Sequence, residues 1–358
     1  MKIVFLLPGR RMDVPIGGHK IVYQYANYLC EQGFEVEIAN NIFAPSNEKW
    51  YIEVLRVIHA FIRYVIGVAR KRNTCKGWFN LSECVVEKNV WSYRWRYATK
   101  ADYYVATDAT TSPFLIDYHV QDTHKIYFIQ GYENWRMTET QLRETYRYPF
   151  VKVVISKWLQ KVLTEARAES IVIPNGFNSC EFHLDIPIEK KDKYLVSMLY
   201  HEGAFKNVQM GFKALAIVKE KYPTLRVLLY GVYEKPQNLP AWYEYYCRPT
   251  IEQHNALNNQ SAIYVATSSQ EGWGLTVGEA MMCGQAVACT DAGGYLEMAT
   301  DGVNALVSPV DDSESLALNV IRLIEDDELR MKLARNGYQS IQKFSIERSL
   351  EKFGQLFV

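Results

Sequence analysis

The stretch EGWGLTVGEAMMCG, residues 271–284, carries the strongest structural signal of the chain. It follows residues 262–267, whose apolar run predicts a buried strand, and residues 276–284 predict a helix. Gly272 and Gly274 in the connecting loop allow the backbone to approach a ligand closely. Because a new helix presents unpaired N–H groups and the positive end of its dipole, the pattern predicts a diphosphate site where the strand gives way to the helix.

Two carboxylates frame this predicted anion site. Glu271 lies in the loop, and Glu279 is expected in the first turn of the helix, where its side chain leans back toward the N-terminus. Carboxylates accept hydrogen bonds from sugar hydroxyls, so the pattern suits a central diphosphate with hydroxyl-rich groups on both sides. An alternative interpretation makes Thr276 and Glu279 an ordinary capping box. That alternative explains Glu279 but neither Glu271 nor the loop glycines.

Outward from this motif, short apolar strands alternate with helical patterns, which is typical of parallel α/β sheets. Strands are predicted at residues 2–7, 34–39, 103–107, 126–130, 151–155, 170–173, 194–199, 225–230, 262–267, 286–290 and 305–307. The length of 358 residues suits two domains. We predict an N-terminal acceptor-side domain at 1–184, a donor-binding domain at 185–342, and a final helix at 343–358 that returns to the first domain. The charged residues 185–193 are the predicted linker.

Composition excludes several classes of function. The chain has 40 basic and 40 acidic residues, and this balance argues against a nucleic-acid partner, which requires a basic face. Seven cysteines with no C-x-x-C pair predict reduced thiols and a cytoplasmic location rather than a disulfide framework or a zinc site. The short apolar run at residues 3–7 precedes the basic residues, the reverse of a signal peptide, and is interpreted as a strand.

Residues 50–72 allow two interpretations. No apolar run reaches the roughly 20 residues needed to span a bilayer, although residues 50–69 come nearest. Arg56, Arg63 and Arg70 recur every seven residues and therefore lie near one face of a helix. The segment is either a cationic amphipathic helix that holds the protein on the inner face of a membrane, or a packed helix with one solvated face.

The run EGWGLTVGEAMMCGQAV resembles the E-x7-E signature of the GT4 family of retaining glycosyltransferases. The likeness continues through residues 291–294 (DAGG), Glu297, residues 301–304 (DGVN) and the PNG turn at 174–176. It implies the α/β GT-B fold, two Rossmann-like doubly wound parallel-sheet domains facing across a cleft. It also implies sugar transfer from a nucleotide-diphosphate sugar to a saccharide or lipid-linked acceptor, as in bacterial surface-polysaccharide synthesis. No cofactor or metal is expected, and the sequence holds no D-x-D metal motif.

The resemblance assigns roles to individual residues. Glu271 would hold hydroxyls of the transferred sugar, and Glu279 would hold the ribose. Backbone N–H groups of Gly274, Leu275 and Thr276 would meet the sugar and phosphates. Further donor contacts are implied for Gly17, Gly18, His201, Lys206 and Arg248.

Lys206 would neutralise the leaving diphosphate, and Arg248 would edge the base pocket. The chain departs from the family pattern at two positions, since His201 replaces an arginine and Asn207 replaces a glycine. A positive charge on His201 would depend on a nearby phosphate.

The sequence indicates fewer residues for the acceptor side than for the donor side. Where the family often has a histidine, this chain has Gln130, followed by Glu133, which is the candidate acid/base or else a plain loop carboxylate. Tyr132 and Trp135 are candidates for stacking on sugar rings, or are buried aromatics. The candidate catalytic residues are thus Glu271, Lys206 and Glu133.

The sequence also bears on other classes of function. A dinucleotide oxidoreductase requires G-x-G-x-x-G after the first strand, and neither candidate loop contains it. A GT-B sugar epimerase or phosphorylase and a non-catalytic nucleotide-sugar-binding subunit remain as alternatives.

Overall fold

The computed structural model describes residues 1–8, 15–41, 78–135 and 137–357, together with Leu55, Val57, Ile58, Phe61 and Ile62. The chain forms two compact units, each built on its own parallel sheet. The first unit contains residues 1–155, 160–173 and 350–358, and the second contains residues 156–159 and 174–349.

The first unit holds a seven-stranded sheet in the order β3-β2-β1-β4-β5-β6-β7, with every pairing parallel. Its strands are β1 Lys2–Leu7, β2 Glu35–Asn41, β3 Val86–Val90, β4 Tyr103–Ala106, β5 Lys125–Ile129, β6 Val151–Val154 and β7 Ile171–Val172. Its helices are α1 Gly17–Glu31 and α2 Glu139–Thr145. Parallel strands are covered on both faces, which explains why β1 is an uninterrupted apolar run.

The second unit holds a six-stranded parallel sheet in the order β10-β9-β8-β11-β12-β13. Its strands are β8 Asp192–Tyr200, β9 Arg226–Gly231, β10 Tyr243–Cys247, β11 Ser261–Ala266, β12 Ala286–Thr290 and β13 Ala305–Ser308. Its helices are α4 Val208–Lys221, α5 Ile251–Gln260, α6 Leu275–Met282, α7 Ser313–Glu325 and α8 Asp327–Ile341. The remaining helices, α3 Lys157–Glu165 and α9 Ile346–Gly354, begin in the second unit and end in the first.

The C-terminal residues of the first unit complete its core. Phe353 at the end of α9 stacks on Tyr25 with the ring centroids 4.0 Å apart, and it also contacts Phe5 and Phe128. Phe353 is fully buried. Aromatic contacts of this kind contribute beyond their buried area, so residues 350–357 are an integral part of this unit.

The predicted α/β class and two parallel sheets are confirmed, but the sequence missed β3 and β10. Both strands lie at the edge of their sheets. Their sequences, VEKNV and YEYYC, are partly exposed and carry charged side chains, so they lack the apolar run of the central strands.

The predicted linker is a packed part of the second unit. The backbone N–H of Asp185 donates to Asn259 Oδ1 at 2.8 Å, and that of His183 donates to Asn255 Oδ1 at 3.1 Å. Both asparagines belong to α5, and β8 already begins at Asp192.

The expectation of reduced thiols throughout is wrong at one pair. Cys30, near the end of α1, is joined to Cys84 by a disulfide, a pairing across 54 residues that the spacing of cysteines did not indicate. Cys283 and Cys289 are free and buried, and burial raises the pKa of each thiol to about 12, so neither is a reactive thiolate at neutral pH.

Most of residues 50–72 lie outside the described residues. Leu55, Val57, Ile58, Phe61 and Ile62 are helical, and all except Val57 expose about half or more of their surface. Among the residues that the structure describes, no helix is both long and apolar enough to cross a membrane.

Candidate functional site

The turn between β11 and α6 has the geometry that its glycines predicted. Gly274 is the N-cap of α6 and adopts a left-handed conformation, with φ +97° and ψ +56°. A Cβ atom there would lie 2.4 Å from Cδ1 of Tyr295, so glycine is required for both the backbone conformation and the space. The N–H groups that follow, of Leu275 and Thr276, have no acceptor within the helix.

The capping-box interpretation of Thr276 and Glu279 is wrong. Because α6 begins at Leu275, Thr276 is the second helical residue, and Glu279 is the fifth, just beyond the first turn. Glu279 is nonetheless buried, with 8% of its surface exposed. The pKa of Tyr230 is raised well above its ordinary value. Burial is the main cause, and electrostatic interactions with Tyr264 and Glu279 add to it. The side chain of Glu279 therefore lies inside the unit, and no side chain caps the helix at Gly274.

Lys206 and Glu271, which are 65 residues apart, form an ion pair. Lys206 ends a 3₁₀ turn after β8, and its Nζ lies 2.5 Å from Glu271 Oε2. Less than a fifth of each side chain is exposed. Ser268 Oγ donates to the same oxygen at 3.1 Å. Two of the three catalytic candidates are thus adjacent, although the sequence pattern did not predict their pairing.

Asn207 stands where the family pattern has glycine, and the turn after Lys206 is retained. It adopts a left-handed conformation, with φ +47° and ψ +41°. Asparagine is among the few residues other than glycine that tolerate this region. Its side chain donates to Asp311 Oδ1 at 2.6 Å, and α4 begins at the next residue.

His201 contacts its surroundings through both ring nitrogens. The backbone N–H of Gly203 donates to His201 Nδ1 at 2.8 Å. The hydroxyl of Tyr233 lies 3.4 Å from Nε2. The arginine of the family pattern is therefore replaced here by a ring whose Nδ1 is an acceptor for the backbone.

Arg248 follows β10 directly and takes the left-handed conformation, with φ +51°. Its Nε donates to the Val232 carbonyl at 3.1 Å, and its backbone N–H donates to the Gly231 carbonyl at 2.7 Å. Since β8, β9 and β10 are parallel, Arg248 lies at the same carboxyl edge of the sheet as His201 and Lys206. Ligands of open α/β sheets bind at this edge.

The loop after β12 supports the loop that carries Glu271. The N–H of Gly294 donates to the Glu271 carbonyl at 2.8 Å, and Thr290 Oγ1 donates to the Ser268 carbonyl at 2.6 Å. A Cβ on Gly294 would lie 2.4 Å from backbone atoms of residues 272 and 273. Neither Ser268 nor Tyr295 belongs to the motif, and the only signal for them in the sequence was their proximity to its residues.

In the first unit, Gly17 and Gly18 begin α1. A Cβ on Gly18 would lie 3.4 Å from Nε2 of Gln130, which follows β5. Glu133 is buried, and its Oε2 accepts from the Ala109 N–H at 2.5 Å. The structure thus brings Gly18 and Gln130 together.

The two aromatic candidates differ in burial. Trp135 exposes 52% of its surface, which rules out the buried alternative for this residue, and Tyr132 is half-buried.

Two Rossmann-like parallel sheets in separate units, with functional loops at their carboxyl edges, define the GT-B class of fold. The solved structure of Anabaena Alr3699/HepE in complex with UDP and glucose matches with a TM-score of 0.73, covering 99% of this chain and 98% of that one at 16% identity. A likeness at this identity shows the fold, and it confirms the GT-B prediction.

Residues 181–340 match the family described as glycosyl transferases group 1. The uncharacterized glycosyltransferase MJ1178 of Methanocaldococcus jannaschii is 25% identical over 210 residues, 55% of this chain and 56% of that protein. A lipopolysaccharide core biosynthesis mannosyltransferase of Rhizobium leguminosarum is 33% identical over 96 residues, 26% of this chain and 27% of that protein. The chain spans about half the length of the first curated relatives it matches. The resemblance to glycosyltransferases that the motif indicated is thus confirmed for residues 181–340.

Proposed function

We propose that this protein transfers a sugar from a nucleotide-diphosphate sugar to a saccharide or lipid-linked acceptor, with retention at the anomeric carbon and without a metal ion. The group 1 domain supports the transferase class. The observation that carries the proposal is the pairing of Lys206 with Glu271 beside the N-terminus of α6. It supplies a cation for a departing diphosphate and a carboxylate for sugar hydroxyls in one place.

Charge separation explains why both groups are needed. Breaking the anomeric C–O bond places positive charge on the sugar ring and negative charge on the diphosphate. The ammonium of Lys206 and the N–H groups of Leu275 and Thr276 are positive groups that stabilise the leaving diphosphate. Lys206 pairs with Glu271, and we propose that donor binding exchanges this contact for two, one from Lys206 to phosphate and one from Glu271 to the sugar.

Glu279 is proposed to hold the ribose. It follows the N-terminal turn of α6 by one residue, is largely buried, and is an acceptor for hydroxyl donors. Arg248 and His201 are proposed to contact the base side and a phosphate, respectively, because both lie at the carboxyl edge of the sheet.

In the first unit we propose that Gly17 and Gly18 admit a phosphate to the N-terminus of α1, where a side chain would obstruct it. Glu133 is the proposed acid/base toward the acceptor. As the acceptor oxygen bonds to the anomeric carbon its proton must leave, and Glu133 is proposed to take it.

A role in surface-polysaccharide synthesis on the cytoplasmic side of a membrane is the proposed context. The name of the Rhizobium relative, a lipopolysaccharide core enzyme, supports it. The exposed apolar side chains of Leu55, Ile58, Phe61 and Ile62, with arginines interspersed in the sequence, support peripheral contact with an anionic membrane through residues 50–72.

Thermal unfolding of the full chain with UDP, GDP, dTDP and ADP, and with their glucose derivatives, tests donor binding. One nucleotide series at 100 times its Kd should stabilise the chain by about 2.7 kcal/mol through mass action. Glu279→Gln should abolish this shift, whereas Glu252→Gln, an exposed glutamate on α5, should retain it. If none of these ligands raises Tm in the wild-type chain, the proposal is wrong.

Turnover separates an enzyme from a binding subunit. With the nucleotide sugar so identified, Lys206→Met should lower turnover by about 10² to 10³, the effect of losing one group that stabilises developing charge. Lys206→Arg, which keeps the charge, should lose less. Turnover that is eliminated by a chelator and restored by Mg²⁺ or Mn²⁺ would contradict the metal-independent mechanism.

A further inference from the structure

We infer that Tyr295 is a positioning residue that orients the Glu271 carboxylate through Ser268. The inference rests on the proposed function, because Glu271 is the group proposed to hold the transferred sugar. All three residues belong to the second unit, but they come from two different loops, one after β11 and one after β12.

The three side chains form a continuous hydrogen-bonded chain. The Tyr295 hydroxyl lies 2.8 Å from Ser268 Oγ, and Ser268 Oγ lies 3.1 Å from Glu271 Oε2. Tyr295 is 3% exposed and Ser268 is 1% exposed, so water does not compete for either hydroxyl. A buried chain of this kind is rigid because each member has few alternative partners.

The chemistry of the groups fixes the direction of the chain. A carboxylate only accepts, so the Ser268 hydroxyl must donate its single proton to Glu271. Ser268 Oγ is then an acceptor, and the Tyr295 hydroxyl must donate to it. Burial raises the pKa of Tyr295 well above its ordinary value, so the tyrosine keeps this proton at neutral pH.

The hydrogen-bonded chain of side chains contacts only one oxygen of the Glu271 carboxylate. Lys206 and Ser268 both contact Oε2. Within the part of the chain that the structure describes, Oε1 has no hydrogen-bond donor, and it is the oxygen left for a sugar hydroxyl. When a diphosphate draws Lys206 away, the Tyr295–Ser268 chain is the contact that still holds Glu271 in place.

Backbone and ring contacts hold the loop of Tyr295 against the loop of Glu271. The loop of Tyr295 is tied to the loop of Glu271 by the bond from the Gly294 N–H to the Glu271 carbonyl. The ring of Tyr295 also packs against Gly274, where a Cβ would come within 2.4 Å. The ring thus fills space beside the turn, and the hydroxyl alone reaches Ser268.

Tyr295→Phe removes the hydroxyl and keeps the ring, which makes it the variant of choice. The measurement is the Kd of the nucleotide sugar and of the matching nucleoside diphosphate, by calorimetry on the full chain. The Kd of the nucleotide sugar should rise about three- to tenfold, the effect of one net hydrogen bond, and the Kd of the diphosphate should not change. KM for the donor should rise in parallel.

Three further variants make the result specific. Ser268→Ala should reproduce the effect, and in a Glu271→Ala background Tyr295→Phe should have no further effect on either Kd. Tyr243→Phe is the matched control, because Tyr243 is also a buried tyrosine of this unit and its hydroxyl has no hydrogen-bond partner among the described residues. It should leave both constants unchanged.

The outcomes distinguish the inference from the proposed function. If the wild-type chain binds no nucleotide sugar, the proposed function fails first. The inference is overturned if the wild type binds the nucleotide sugar but neither Tyr295→Phe nor Ser268→Ala changes the ratio of its Kd to that of the diphosphate. This holds whether binding of both ligands weakens equally or does not weaken at all.

Discussion

Gly278 provides the sharpest test of how α6 is held. A Cβ at this position would lie 1.9 Å from Cζ of Phe177 and 2.4 Å from Cε1. Phe177 is 6% exposed, and its backbone is fixed on both sides by hydrogen bonds to Phe344 and Ile346. A backbone held on both sides limits how far the ring can withdraw, so Gly278→Ala must displace either the ring or the helix.

The expected magnitude follows from two opposing effects. Alanine is the better helix former by about 1 kcal/mol. Inserting a methyl group into a filled site costs about 1–3 kcal/mol, and a contact of 1.9 Å places this case at the upper end. The net loss should be about 2 kcal/mol, a fall in Tm of about 4–8 °C for a unit of this size. Because α6 carries Glu279 and the Gly274 turn, nucleotide binding should weaken as well.

Thermal unfolding and nucleotide binding of the full chain measure both effects. Gly337→Ala on α8 is the control, since its nearest atoms would lie at 3.3 Å or more, and it should cost less than Gly278→Ala. In a Phe177→Leu background the cost of Gly278→Ala should shrink by at least ~0.5 kcal/mol, the sign of a contact between the two sites. A Gly278→Ala chain as stable as the wild type would refute the reasoning.

Two further changes address buried charges. Burial lowers the pKa of Lys191 to about 8 from its ordinary 10.5, so the folded chain releases this proton more readily than the unfolded chain and stability should rise with pH between about 8 and 10.5. Thermal unfolding should show the wild type gaining on the order of 3 kcal/mol over Lys191→Met in that window, and a constant difference would contradict the burial effect. Glu133→Gln keeps an acceptor for the Ala109 N–H but cannot take a proton, so Tm should hold while turnover falls by about 10²-fold or more. If the variant retains turnover, Glu133 is not the acid/base and only stabilises its loop.

Much of the fold could be predicted from local sequence. The central strands contain apolar runs, such as residues 3–7 of β1 and 262–266 of β11, and β12 has the predicted bounds. Asp312 caps α7, accepting from the Ser315 N–H at 2.9 Å, and Ser156 Oγ accepts from the Leu159 N–H at 3.1 Å at the start of α3. Caps and buried strands depend on residues a few positions apart, which is why they can be predicted. The edge strands β3 and β10 could not, because their exposed faces remove the apolar signal.

The sequence by itself determined the α/β class, the parallel sheets, the Gly274 turn and the identity of the acidic and basic groups around it. Only the tertiary structure decided that Lys206 pairs with Glu271, that Tyr295 reaches Ser268, and that His201 accepts from the Gly203 N–H. The physical reason is that backbone conformation and burial follow from neighbours in sequence, whereas hydrogen-bond partners follow from strand order. Loops distant in the chain meet because parallel strands bring their carboxyl ends to one edge of the sheet.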